Sequence, residues 1–76
     1  MDNFDDLPYE EKVFTLVKNG AFINSINYYN QKVDLYHMNG IFVEVFYHPV
    51  SSTIHEIATA EPNRLHLYSP VDINNQ

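Results

Sequence analysis

The sequence predicts an α+β domain, one N-terminal helix packed on an antiparallel meander of about four strands, and three observations carry that expectation. Apolar residues recur at helical spacing as far as Asn19-Gly20 and in alternation from Ala21 onward. The alternating runs are joined by short turn signals, as in a meander. The stretch VDLYHMNGIFVEVFY, residues 33–47, reads as a β-hairpin with large apolar side chains on both faces, and a sheet with two apolar faces needs two covers.

Residues 1–6 are acidic and without periodicity, and are expected to fray. The helix is expected over residues 8–19. Pro8 suits its first position, Glu10 and Glu11 complement the positive end of the helix dipole, and Lys18 falls in the last turn where a cation is favoured. Tyr9, Val13, Leu16 and Val17 form its apolar stripe with Phe14 beside it, and Gly20 can close it in the left-handed conformation. The stripe is expected to bury against Val43 and Val45.

β-Branched and aromatic residues then take over, and strands are expected at 22–28, 32–38, 41–48 and 53–60. Tyr29-Asn30-Gln31 and Pro49-Val50-Ser51-Ser52 read as turns, the second because proline removes a ladder donor and serine bonds nearby backbone. Residues 64–68 fit a short strand or a helical turn. Residues 74–76 are expected to be a loose tail, and the chain 1–76 a single domain.

The turn at Met38-Asn39-Gly40 allows two registers. A two-residue Asn-Gly turn pairs Met38 with Ile41 and separates Val33 and Leu35 from Val43 and Val45. A three-residue loop pairs His37 with Ile41 and gathers Val33, Leu35, Ile41, Val43, Val45 and Tyr47 on one face, which is the register that apolar patterning favours. Lys32, Asp34, Tyr36, Phe42, Glu44, Phe46 and His48 then share the other face.

Composition bounds function more than it names it. With 76 residues the chain buries only about 60% of its unfolded surface, and without cysteine it has no disulfide or thiolate zinc site to reinforce the core. Self-association is the natural remaining device. Ten acidic residues against four basic ones give a formal charge of −6, which disfavours nucleic acid and anionic membranes as partners. The acidic N-terminus is unlike a signal peptide and no apolar run approaches the roughly 20 residues of a bilayer span, so a cytoplasmic protein is expected.

Candidate chemistry is sparse. Four histidines, His37, His48, His55 and His66, include a pair flanking one turn, but there is no HxH, HxxxH or HExxH spacing to complete a metal site. Asp34 and Glu44 would face each other in the favoured register, a way to raise a carboxyl pKa, with Lys32 close enough to neutralise them. No nucleophile elbow, catalytic cysteine or glycine-rich phosphate loop is present. No catalytic, cofactor-binding or metal residue is assigned, and no cofactor is expected.

The aromatic face carries more weight. Tyr36, Phe42 and Phe46, with Glu44 and His48, form the candidate interaction surface, ringed by acids where a base-stacking platform would be ringed by cations. Either the segment 65–73 covers it or a protein partner, most simply a second copy, does. A small-ligand or enzymatic domain using histidines and carboxylates near the hairpins is the alternative.

The runs IFVEVFYHP, IHEI and RLHLYSPVDI resemble those of short bacterial single-domain proteins of unknown function, in which a helix precedes a small antiparallel sheet with an FVEV-like tract and a tail ending in an Ile-Asp-Ile-like triplet, here Val71-Asp72-Ile73. The similarity spans about residues 8–73. It implies the helix-and-sheet fold and no activity.

Overall fold

Alternation of apolar and polar residues from Ala21 onward builds four consecutive strands, and the computed structural model, which describes residues 3–68, places them in one antiparallel sheet. The helix α1 spans Tyr9–Asn19, followed by β1 (Ala21–Tyr28), β2 (Gln31–Met38), β3 (Ile41–Tyr47) and β4 (Ile54–Thr59), hydrogen-bonded in the order β1-β2-β3-β4. Short 3-10 helices stand before and after them, at Phe4–Asp6 and Pro62–Tyr68. The expected helix-on-meander architecture is therefore the observed one, and the 64–68 segment is helical, not a strand.

Local chemistry explains the boundaries. Pro8, expected as the first helical residue, is instead the N-cap of α1 with φ −60° and ψ 156°, and the helix starts one position later at Tyr9. Gly20 ends the helix with its N–H donating to Leu16 O at 2.7 Å, but at φ −85° and ψ 145° it is extended, not left-handed. Its requirement is steric, since a Cβ there would lie 2.5 Å from Leu16 O. The acidic start is part of the fold and does not fray at Phe4. Asn3 caps the first 3-10 turn through Asp5 N, and Phe4 is buried. Residues 1–2 and the expected tail 74–76 lie outside the described residues.

The turns set the register. Tyr29-Asn30 and Asn39-Gly40 each have positive φ at both positions (52° and 66°, 49° and 85°), as two-residue type I′ hairpins demand. Met38 consequently pairs with Ile41, His37 with Phe42, Leu35 with Glu44 and Asp34 with Val45. The three-residue loop favoured by apolar patterning is corrected by one residue, and every side chain of β2 changes its relation to β3.

Two cores result. Under α1 and the first 3-10 turn, Met38, Val43, Val45 and Ile57 pack with Phe4 and Leu16. On the opposite face Val33 and Leu35 pack with Tyr68, flanked by Ile26, Phe42, Phe46, Leu65 and Leu67. The second cover is thus the Pro62–Tyr68 helix. Among the expected stripe residues of α1 only Leu16 buries fully and Val13 partly, while Tyr9 and Val17 remain exposed. Leu16 and Val13 are one turn apart, so α1 rests on the sheet along a narrow line.

Candidate functional site: a clamped carboxylate and an open apolar corner

Glu44 sits mid-strand in β3, and the two-residue turn sends its side chain beneath the Pro62–Tyr68 helix. It is 2% exposed. Such burial of a carboxylate is tolerated only with partners, and it has three bonds. Arg64 donates Nε to Oε1 at 2.8 Å and Nη2 to Oε2 at 3.0 Å, and the Tyr68 hydroxyl donates to Oε2 at 2.7 Å. The Arg64 guanidinium also lies 5.4 Å from the Tyr28 ring centroid, a cation–π position. The bond to Glu44 raises the Arg64 pKa, and burial followed by the Glu44 bond pushes the Tyr68 phenol well above its ordinary range. With every lone-pair direction facing a donor engaged, Glu44 acts as an anchor for the C-terminal helix.

Asp34 occupies the other face, beside Val45 and not opposite Glu44, so the expected carboxylate pair does not form. Lys32 does stand near Asp34, its Nζ 3.8 Å from Oδ1 and 5.0 Å from the Tyr47 ring centroid. That distance is an ion pair but no hydrogen bond, and Asp34 Oδ1 is a buried acceptor without a hydrogen-bond partner among the described residues. Burial and then the Asp34 charge raise the pKa of both Tyr36 and Tyr47.

The five residues of the expected interaction surface are dispersed. Tyr36 lies on the α1 face with Asp34, while Phe42, Glu44 and Phe46 lie on the other face, the two phenylalanines packed against the cluster of Val33, Leu35 and Tyr68. His48 is exposed beyond the end of β3, its ring centroid 6.0 Å from that of His55. Among the described residues no three His, Asp or Glu side chains gather as a metal site would require. A depression of about 960 Å³ beside the β2–β3 turn, with Phe4, Leu7, Met38, Ile41 and Phe42 in its walls, has no ionisable group in its lining.

The open surface lies elsewhere, where α1 turns into β1. Phe14 is 63% exposed, Val17 80%, Phe22 58% and Ile23 46%. Phe22 meets Tyr36 edge-on with centroids 5.7 Å apart, and Val13, Val17, Tyr36 and Tyr47 line a cleft of about 200 Å³ between helix and sheet. Helical spacing made Val17 look like core. The signal that could have exposed it was the width of the stripe: Tyr9, Val13, Phe14, Leu16 and Val17 span more of the helix circumference than one sheet contact can cover.

Comparison with protein-family models, curated proteins and solved structures returned no match. Among the described residues no helix is long and apolar enough to cross a membrane.

Proposed function

We propose that this protein is a non-enzymatic interaction module that docks a protein partner or itself through the apolar corner of α1 and β1. The carrying observation is the concentration there of Phe14, Val17, Phe22 and Ile23, large apolar side chains left half or more in water. Scattered singly such residues are ordinary, whereas here Val17 forms part of the wall of an apolar cleft and Phe22 packs edge-on against Tyr36 of the same wall, as at a contact surface. The corner replaces the Tyr36, Phe42 and Phe46 face, whose rings are divided between two cores. The acidic balance of −6 favours a protein partner over a phosphate backbone. The test compares wild type with Phe14→Glu and Val17→Glu, both exposed and outside the buried clusters. Self-association by sedimentation, and binding of proteins identified by capture from the native cell, should weaken at least tenfold in the variants while the far-ultraviolet spectrum is unchanged. Binding that is indifferent to both substitutions removes the corner as the docking surface.

A further inference from the structure

The two edges of the sheet are treated differently. On β4, Ile57 and Thr59 direct their backbone groups away from β3, and side chains take them: Lys12 Nζ donates to Ile57 O at 2.9 Å, and Thr59 N donates to Asp5 Oδ1 at 2.9 Å. Asp5 also accepts from the Thr59 hydroxyl at 2.6 Å. With charged groups bound along it, β4 is closed to another strand.

On β1, the two-residue turn makes Tyr28 and Gln31 a hydrogen-bonded pair, so alternation turns Ile26 and Asn24 toward β2 and Ser25 and Asn27 outward. Ser25 N donates to Asn24 Oδ1 at 2.8 Å, a local bond to the adjacent side chain, while no side chain is bonded to Asn27 N or to Ser25 O and Asn27 O among the described residues. The run 21–30, AFINSINYYN, contains no Asp, Glu, Lys, Arg or His. All charged side chains of the chain lie outside this run, whose edge is uncapped among the described residues.

We infer, building on the interaction-module reading, that a second copy of this chain is the partner and that two β1 edges pair antiparallel about a two-fold axis into one eight-stranded sheet. Charge selects this occupant. Two bodies of like charge, each −6, associate best through a surface carrying none, and an antiparallel strand is its own complement under a two-fold axis. Pairing centred near Ile26 sets Ser25 of one copy opposite Asn27 of the other, so the Asn27 N–H meets the Ser25 carbonyl across the seam, while the Asn27 carbonyl replaces Asn24 Oδ1 as acceptor for the Ser25 N–H. The same pairing places Ile23, 46% exposed, and the turn residue Tyr29, 86% exposed, at the ends of the seam, where the second copy offers them apolar cover. The helices then lie on one side of the joined sheet, with the α1–β1 corners flanking the seam.

The experiment is sedimentation of the full chain, with hydrogen exchange read at Ser25 and Asn27 over a dilution series. The expected result is a dimer of about twice 8.9 kDa whose Asn27 amide loses protection on dilution. Asn27→Pro removes one outward N–H without touching the β2 ladder, and Ile23→Lys sets like charges at the seam. Each should weaken the dimer at least tenfold with the circular dichroism spectrum retained, and the lysine variant keeps the test open if proline disturbs the fold. A dimer that survives both variants but dissolves with Val17→Glu overturns edge pairing and leaves the corner as the docking surface. A wild type that stays monomeric at high concentration overturns the inference, whether Asn27 is then unprotected or is protected until residues 69–76 are removed. A monomer insensitive to partner capture as well takes the interaction-module reading with it.

Discussion

Each face of the sheet buries one carboxylate, and the two are held in opposite ways. Glu44 accepts three hydrogen bonds from Arg64 and Tyr68, and a seven-residue 3-10 helix is pinned over it. Asp34 has an Oδ1 without a hydrogen-bond partner among the described residues, the exposed ammonium of Lys32 at 3.8 Å, and two tyrosines of raised pKa nearby. The difference reflects what covers each face. The α1 face has a helix with Leu16 and Val13 to bury, and its polar tie, Lys12 to Ile57 O, goes to the sheet edge and not to Asp34, whereas a helix of seven residues buries too little to hold itself in place and uses a directional clamp. Burial alone therefore does not tell a structural carboxylate from an uncommitted one. Its bonds do.

The strongest challenge to this contrast is Val45→Asp. Val45 is buried in the α1 core and is the cross-strand neighbour of Asp34. A second carboxylate there would lie unpaired beside the first, at a cost of several kcal/mol, comparable to the stability of a small domain. The domain should lose its dispersed NMR spectrum, and a native-like spectrum would mean that the α1 face is open to water.

Next in size is Arg64→Leu, which leaves Glu44 buried without its cation and should cost about 3 kcal/mol in urea unfolding. Adding Glu44→Met should restore most of that loss, because a matched apolar pair replaces an ion pair at little cost. Equal destabilisation by the double variant would show that Arg64 acts through packing and not through Glu44.

Tyr68→Phe removes one of the three bonds and should cost about 1–2 kcal/mol at neutral pH. It should also change the alkaline limb. The Tyr68 phenol keeps its proton in the folded state above the pH at which the unfolded chain releases it, so its contribution is full below about pH 10 and is lost as pH rises further. The phenylalanine variant should lose less stability than wild type between about pH 10 and 12.

The smallest effect is expected from Asp34→Asn. Exchanging a poorly bonded buried charge for a neutral amide of equal size should change stability by no more than about 1 kcal/mol, with stabilisation the favoured sign. It should lower the titration of Tyr36 and Tyr47 in a spectrophotometric alkaline titration, since the Asp34 charge is one cause of their shift. A loss as large as that of Arg64→Leu would place the two carboxylates in the same class.

The sequence by itself determined the elements and their order. The change of period at Gly20, the acidic first turn and Lys18 of α1, and the proline and serines of 49–52 are local statements that the backbone obeys within a residue or two. It also determined that two apolar faces would need two covers. Register was legible in Asn39-Gly40, the strongest signal for a two-residue turn, yet the patterning argument set Glu44 outward and chose the longer loop. Only the tertiary structure decided otherwise. A glutamate is admitted to the interior when an arginine twenty positions on arrives with both donors aimed at it, and no local pattern in β3 encodes that arrival. For the same reason, Phe42 and Phe46 of the expected contact face pack against a core and Val17 of the expected buried stripe is surface: which apolar residues stay exposed depends on how much area each cover brings to its face.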